Sequence, residues 1–275
     1  MPPFLEEIHE FDIDPDQVPR AVVAIGVSLG TSAIELDFHH HRKAQLLMPM
    51  RGVLTCEADG VLWIVPPQSA IWIPGGMSHS IRFSGTIEGY NVFIDSGAAP
   101  NLSSSCCAVS VTPLLRELLV RAAQLPVLYP EGGSESHLVT LLLDEIAAAP
   151  LGKLSVPMPT DARLRRILKT LMANPARRGT LESWAKRAGL SERSLARLIT
   201  RQTGMSFGRW RQQLSLMLAL QWLAEGTSIQ QVASSLGYES AGSFVSMFRK
   251  TLGVTPGRFM GKTGQNRRPA ETGAG

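Results

Sequence analysis

Two short stretches of the chain share one design: AKRAGLS at 185–191 and ASSLGYES at 233–240. Each has an alanine four residues before a glycine, and each ends on a serine that precedes a further helical pattern. Where two helices meet at a tight turn, a small residue permits close packing, a glycine adopts the left-handed conformation that ends the first helix, and a serine caps the second. The two stretches therefore predict two helix-turn-helix units.

The second helix of each predicted unit has a defined inner face. Apolar residues fall at the same offsets after each serine, at Leu195, Leu198 and Ile199 in the first copy and at Phe244, Met247 and Phe248 in the second. At 100° per residue, Arg193, Arg197 and Arg201 lie on the opposite face of the first helix. In the second helix, the equivalent positions are occupied by Gly242, Ser246 and Lys250, with Arg249 beside them.

A row of outward guanidinium groups is suited to reading DNA bases. Arginine bonds guanine O6 and N7 in bidentate fashion, at about 1–3 kcal/mol of discrimination per pair, so Arg193 and Arg197 are candidates for direct readout. The second helix offers shorter side chains, or cations farther from its start, which predicts mainly backbone contacts. The predicted DNA-binding residues are Ser191, Glu192, Arg193, Ala196, Arg197, Arg201, Ser240, Gly242, Ser243, Ser246, Arg249 and Lys250.

Charge is divided unevenly between the two parts of the chain. Residues 1–159 hold 8 Lys and Arg against 17 Asp and Glu, whereas residues 160–275 hold 19 against 6. A basic domain releases counterions when it binds a polyanion, so nucleic acid is the first partner to consider. We expect double-stranded promoter DNA as the partner and no membrane surface.

The basic part predicts an all-helical domain. Residues 207–224 form one helical pattern of 18 residues, about 27 Å long, which can hold two reading helices in successive major-groove turns roughly 34 Å apart. Further helical patterns occur at 161–173, 181–188, 192–202, 229–236 and 241–252, with a short turn after Pro256 and a tail from Gly261 that is predicted to be disordered.

The acidic part predicts strands followed by two helices. Between residues 22 and 94, short runs such as 61–65, 70–73 and 90–94 are rich in β-branched and aromatic residues, which suggests a small barrel or sandwich. Two helical stripes follow, one at Leu114, Leu115, Leu118 and Leu119 and the other at Leu138, Leu141, Leu142 and Ile146. Such helices often pair with copies of themselves, so we expect a homodimer.

These patterns predict an α+β chain of two domains. We assign 1–150 to effector sensing and dimerisation, 151–160 to a linker with Pro157 and Pro159, 161–260 to DNA binding, and 261–275 to the disordered tail.

Secretion and membrane insertion are not expected. The N-terminus is acidic, and no apolar stretch approaches the roughly 20 residues that span a bilayer. Cys56, Cys106 and Cys107 have neither the number nor the spacing of a disulfide framework or zinc finger, so they are predicted to be reduced thiols in the cytoplasm.

The segment 229–259 resembles the C-terminal signature of the AraC/XylS family of bacterial regulators nearly throughout. The resemblance implies a seven-helix DNA-binding domain tied to an N-terminal effector-binding or dimerising domain. Two positions depart from it. Ser246 stands where many relatives carry an arginine, which agrees with a weaker second reader, and Phe207 replaces a proline before the connecting helix.

A second resemblance, to the cupin barrels, covers residues 21–94. The stretch HHHRKAQ at 39–45 followed by Gly52, and PGGMSH at 74–79, have the spacing of the two cupin motifs. In metal-binding cupins the matching positions hold three histidines and a glutamate, here His39, His41, His79 and Gln45. Within the AraC/XylS family, the chain resembles the branch whose barrel is followed by short helices and whose members often repress a neighbouring transporter or efflux gene.

Three roles for this histidine cluster stay open. Three imidazoles can ligate zinc, nickel, iron or manganese, but the amide of Gln45 lacks the charge of a carboxylate. The alternatives are a small-molecule pocket or a structural role in polar bonds at a barrel mouth. The predicted effector pocket comprises His39, His41, Gln45, Trp63, Trp72 and His79, and the predicted metal ligands are His39, His41 and His79.

The sequence thus predicts a sequence-specific transcription regulator, without catalytic residues, that responds to an unknown small molecule. No cofactor is required, although a divalent metal in the cupin-like domain fits the pattern, and RNA polymerase is a further candidate partner. The alternatives are a metal-dependent cupin enzyme with a DNA-binding appendage and an architectural DNA protein without a ligand.

Overall fold

The computed structural model describes residues 14–30, 35–67, 69–98, 100–152, 155–177 and 179–262. Its strands are β1 (Val22–Leu29), β2 (Glu35–His39), β3 (Ala44–Ala58), β4 (Val61–Val65), β5 (Ser69–Ile73), β6 (His79–Ile94), β7 (Cys107–Ser110) and β8 (Ser155–Pro157). Its helices are α1 (Pro113–Ala122), α2 (Ser134–Ala148), α3 (Ala162–Ala173), α4 (Leu181–Arg187), α5 (Glu192–Thr203), α6 (Phe207–Ala224), α7 (Ile229–Ser235), α8 (Ala241–Leu252) and α9 (Pro256–Lys262). The chain is therefore an N-terminal antiparallel sheet with two helices, followed by a helical domain.

Two long strands organise the sheet. β3 and β6 pair antiparallel from Ala44↔Ile94 to Ala58↔His79, with register shifts around Arg51. Gly52 lies at this bend with φ +77°, where a Cβ would come within 2.7 Å of the Thr86 carbonyl oxygen. The bend needs glycine and divides the sheet into halves. β1 and β5 pair with one half, whereas β2 and β4 pair with the other.

The two halves enclose one apolar inner face. Leu47, Ile71 and Ile73 from one half belong to the same buried cluster as Leu54 and Phe83 from the other. The strand order is β1-β6-β3-β4-β8, with β2 on β6 and β7 on β5. Among the described strands these pairings do not close into a ring, so a closed barrel was too specific a prediction. The mixed strand and helix content agrees with the α+β prediction.

Helices α1 and α2 cover the outer face of one half of the sheet. Leu46 and Val92 point to this face and share a buried cluster with Leu115, Leu119 and Leu142. Both predicted stripes therefore lie on helices, and each is only partly buried. Leu114 and Leu141 remain 49% and 44% exposed.

Within the segment 151–160, which the sequence predicts to be a linker, residues 151 and 155–157 pair with the sheet. Leu151 forms an isolated bridge with Val109, and β8 pairs with β4 through Val156↔Leu62. Val156 is fully buried. Residues 155–157 therefore form an edge strand within the predicted linker.

The helical domain is built around α6. Half of the residues of α6 are buried, including Trp210, Leu214 and Leu220. The helices that were predicted from Asp161 onward are confirmed to within about two residues at each end. The predicted disordered tail is wrong at its start, because Gly261 and Lys262 end α9, and 263–275 lies outside the described residues.

The N-terminal sheet packs directly on α6. The Gln221 amide donates to the Thr55 hydroxyl at 3.0 Å, and the Trp210 indole donates to the Pro157 carbonyl at 3.2 Å. Gly85, with φ +79°, lies so close that a Cβ would stand 2.4 Å from the Ala224 carbonyl oxygen. Because Val53 and Val156 share the core of the helical domain, the two parts of the chain meet through a packed apolar contact.

Candidate nucleic-acid interface and ligand sites

The first helix pair, α4 and α5, has the predicted turn. Gly189 has φ +67°, which ends α4 in the left-handed conformation, and Ala185 is 1% exposed against its neighbours. The Ser191 hydroxyl accepts from the Ser194 backbone N–H at 3.2 Å and caps α5. The predicted roles of alanine, glycine and serine are confirmed here.

The second helix pair, α7 and α8, repeats this turn. Gly237 has φ +78°, and Ala233 is 2% exposed. The Ser240 hydroxyl accepts from the Ser243 backbone N–H at 3.1 Å and caps α8. At the start of α7, the Ser228 and Gln231 side chains form a reciprocal capping box, which the sequence reading missed although the S-x-x-Q spacing signals it.

The two pairs differ in what anchors their second helix. Leu195 and Ile199 of α5 are fully buried aliphatic residues. In α8, the rings of Phe244 and Phe248 meet edge-on at 5.7 Å, and the Phe248 ring meets that of Phe259 from α9 in the same way. Each helix is therefore held by its inner face, and its opposite face is left free.

The outer face of α5 is open and cationic. Arg193, Arg197 and Arg201 are exposed, and none of them takes part in an ion pair among the described residues. Ser191 and Glu192 are also exposed, whereas Ala196 is half-buried. Three cations without carboxylate partners on one helix face are free to contact a polyanion.

The outer face of α8 carries less charge. Its exposed predicted residues are Ser240, Gly242, Ser243, Ser246, Arg249 and Lys250. Both cations lie in the last turn of the helix. Lys250 also lines a cleft between α8 and the N-terminal sheet. Its side chain can therefore lie in this cleft instead of against a DNA phosphate.

The structure brings the three predicted histidines together. His39, His41 and His79 each offer a ring nitrogen, and these atoms lie within 4.8 Å of one another. The Nδ1 atoms lie 2.8, 2.5 and 2.9 Å from the carbonyl oxygens of residues 37, 43 and 77, respectively. Since a carbonyl only accepts, each Nδ1 carries the proton, and the Nε2 atoms of neutral His39 and His79 present a lone pair. His41 Nε2 instead lies 3.0 Å from the side-chain oxygen of Gln45.

His79 is the most enclosed of the three. It is fully buried, its Nε2 has no hydrogen-bond partner among the described residues, and burial lowers its pKa to about 4. A neutral, buried imidazole with a free lone pair is the form that a metal ion or a hydrogen-bond donor requires. This donor set fits a three-histidine zinc site with an open position.

Gln45 links the histidines to a polar pair inside the sheet. Its amide lies 3.0 Å from His41 Nε2 and 2.8 Å from the Asn91 side chain, and both amides are buried. The two amides lie at one wall of an apolar inner cavity of about 50 Å³, which is also lined by Leu54, Phe83 and Tyr90. Sequence reasoning missed Asn91, because only the β3–β6 register places it near Gln45.

The two tryptophans that were predicted as pocket walls do not line this cavity. Trp72 lies on the outer face among the residues that contact α1 and α2, and its indole donates to the Ser103 carbonyl at 2.7 Å. Trp63 packs in the inner cluster with a buried indole N–H that lacks a partner in the described part of the chain.

The cysteines have no disulfide. Cys56, Cys106 and Cys107 are free, as predicted. A hydrogen bond with Cys56 is the largest cause that raises the pKa of the Cys106 thiol, and burial raises it further. The raised pKa makes the Cys106 thiol a poorer nucleophile at neutral pH.

Comparisons with known proteins agree with the helical geometry. A helix-turn-helix domain family matches residues 184–262, which span both helix pairs. The HTH-type transcriptional regulator NimR of Escherichia coli (strain K12) is 38% identical over 249 residues, covering 90% of this chain and 91% of that protein. The HTH-type transcriptional regulator RipA of Corynebacterium glutamicum is 36% identical over 109 residues, covering 40% of this chain and 32% of that protein.

A solved AraC-type DNA-binding domain from Chromobacterium violaceum is also similar, with 25% identity and a TM-score of 0.35 over 38% of this chain and 95% of that one. Within the described residues, every helix is too short or too polar to cross a bilayer. Both relatives are named as transcriptional regulators, which favours a regulator over the cupin-enzyme alternative. The chain belongs to the AraC/XylS family of helix-turn-helix transcription regulators and acts by binding DNA.

Proposed function

We propose that the two helix pairs are two helix-turn-helix units that bind one promoter in successive major grooves. The observation that carries this proposal is the repetition itself: two serine-capped helices of 12 residues stand on either side of the 18-residue α6. Each is held by a buried inner face, so its outer face is available for the groove.

In this proposal α5 reads sequence and α8 mainly positions the protein. Arg193 and Arg197 lie in the first half of α5, where a recognition helix contacts base edges. Arg201 and the residues around both serine caps contact the phosphate backbone. On α8, Ser246 is too short for bidentate readout, and Arg249 and Lys250 lie in its last turn.

Selection of bound sequences from a random DNA pool tests this division. The wild-type protein is expected to recover a motif that spans two major-groove segments about one helical turn apart. Arg197→Ala is expected to lose information at one or two adjacent positions of that motif. Arg166→Ala, which removes an exposed arginine from α3, serves as the control and retains the motif. Uniform weakening without loss of information would make Arg197 a phosphate contact.

The N-terminal sheet is proposed to sense a small molecule. The inner cavity is apolar, and the Gln45–Asn91 amide pair offers directed hydrogen bonds at its wall. β3 connects this cavity to the DNA-binding domain, because Leu54 faces the cavity while its neighbours Val53 and Thr55 contact the helical domain. An effector that binds one arrangement of β3 more tightly shifts the position of α6.

Filling the cavity tests the sensing role. Leu54→Phe places a larger side chain at a cavity of about 50 Å³ and fills part of it. The variant is expected to lose the transcriptional response to effector while its DNA affinity persists. Leu125→Phe, at a half-buried position outside the cavity lining, is the matched control. A response that survives Leu54→Phe would place the effector elsewhere.

A divalent metal on His39, His41 and His79 is a second candidate signal. Bound zinc would tie β2 to β6, because His39 and His79 belong to these strands. Stoichiometric zinc measured on purified protein, and its loss in His79→Gln, would support the site. Equal zinc content in the variant would leave the histidines with a structural role.

We further propose that the protein is a cytoplasmic homodimer whose interface is built on α1 and α2. We also propose that it represses a neighbouring transporter or efflux gene and acts on RNA polymerase at that promoter. Leu114 and Leu141 leave an apolar surface on these helices that a second copy would cover. Leu141→Glu is expected to yield monomers in light scattering, and deletion of the gene is expected to raise transcription of its neighbours. A monomeric wild-type protein would contradict the homodimer. Unchanged transcription of the neighbouring genes would contradict repression.

A further inference from the structure

A cleft of about 600 Å³ lies between the N-terminal sheet and the second helix pair. Ser69 and Ser110 line it from the sheet, Arg209 and Gln213 line it from α6, and Lys250 lines it from α8. Small-molecule sites commonly measure about 300–1,000 Å³ and often lie between domains. The cleft has this size and position.

The charge of the cleft is positive. Arg209 and Lys250 both contribute to its lining, and no carboxylate does. Neither cation takes part in an ion pair among the described residues. Two cations facing one concave space favour an anion there, because their potentials add.

The remaining polar groups of the cleft call for hydroxyl groups on the ligand. Gln212 lines the cleft from α6, and a side-chain amide can both donate and accept hydrogen bonds. Ser69 and Ser110 add hydroxyls that both donate and accept.

We propose that this cleft binds a small polyhydroxylated organic anion, such as a sugar acid or a sugar phosphate. The anionic group lies against Arg209 and Lys250, and ligand hydroxyls exchange hydrogen bonds with Ser69 and Ser110. The ligand touches the sheet and α8 together, so its binding stabilises their contact. This site is separate from the inner cavity, and it does not depend on base reading by α5.

Calorimetric titration of the full-length chain, without DNA, tests the proposal. The probes are gluconate, glucose 6-phosphate, neutral glucose and inorganic phosphate. At least one of the first two is expected to bind with one site per chain and at least about tenfold more tightly than glucose, because charged hydrogen bonds are the stronger ones. The preferred probe identifies a carboxylate or a phosphate as the anionic group.

Variants locate the site. Arg209→Gln combined with Lys250→Gln is expected to weaken binding at least about tenfold. Arg166→Gln combined with Lys169→Gln, which removes the same charge from exposed positions on α3, is expected to leave it unchanged. Ser69→Ala combined with Ser110→Ala is expected to weaken binding of the sugar anion severalfold, and circular dichroism checks that each variant folds.

Three outcomes would overturn the proposal. Neither sugar anion binds at millimolar concentration, or both bind the cleft variant as tightly as the wild type. Equal affinity for glucose 6-phosphate and inorganic phosphate would equally contradict it, because the hydroxyl contacts would then contribute nothing.

Discussion

The two helix pairs have the same frame and different outer faces. α5 and α8 both have 12 residues, begin at a serine cap and end at a left-handed glycine, Gly204 in one and Gly253 in the other. The outer face of α5 carries three arginines, whereas α8 carries glycine and serine at two of the equivalent positions. Because buried residues and caps determine the frame, the exposed residues can change without altering it.

The largest expected difference is in the free energy of unfolding and concerns the inner faces of α5 and α8. Phe248→Ala removes a ring that packs against Phe244 and Phe259, and it should lower the free energy of unfolding by about 3–5 kcal/mol. Leu198→Ala in α5 should cost less, toward about 2–3 kcal/mol, because its side chain is smaller and is 7% exposed. Urea denaturation measures both, with Ser246→Ala as the surface control. Equal losses would mean that the aromatic cluster adds nothing to α8.

The next effect concerns DNA affinity. Arg197→Ala should weaken operator binding by about 1–3 kcal/mol, because it removes a bidentate base contact. Ser246→Ala, at the equivalent position of α8, should change affinity by less than about twofold, since an exposed neutral hydroxyl contact contributes little net free energy. Fluorescence anisotropy with labelled operator compares them. If the serine variant loses as much as the arginine variant, the two helices read DNA equally.

The caps should behave alike in both pairs. Ser191→Ala and Ser240→Ala each remove a hydroxyl that accepts from a backbone N–H, at an expected cost of about 1 kcal/mol in unfolding free energy. Thermal unfolding of the two variants, with Ser191→Asp and Ser240→Asp as cap-preserving controls, tests this equality. A cost confined to one serine would show that the two turns are not equivalent.

The smallest effect is a gain. Ser246→Arg places a guanidinium group on the outer face of α8 and should tighten operator binding by about threefold to tenfold. If the new arginine meets a phosphate, the dependence of log affinity on log salt should steepen by about 0.9. Ser246→Gln is the uncharged control of similar reach. An unchanged affinity for Ser246→Arg would show that this face of α8 does not meet the DNA.

The helical domain was largely predictable from sequence, because its signals are local. Helix ends are predicted from single residues, namely Gly189, Ser191, Gly237 and Ser240. In the structure each of these residues lies at a helix end. Apolar spacing then assigned the inner faces of α5 and α8 correctly.

The sheet was less predictable, because its contacts join distant residues. The proximity of the histidines came from a resemblance, since His79 meets His39 only through the β2–β6 pairing. Strand pairing between distant residues also places Trp72 on the outer face of the sheet and makes residues 155–157 a strand. The cleft at Arg209 and Lys250 could not be foreseen, because it exists only where two domains pack together.

The most direct test of the account changes the spacing between the two DNA segments. Hydroxyl-radical footprinting on the selected operator should show two protected segments on one face, about one helical turn apart. Insertion of about half a turn, roughly 5 bp, should remove the α8 footprint and leave that of α5. Two footprints that survive the insertion, or no preference for the operator over random duplex, would contradict the claim that α6 holds both helices on one DNA face.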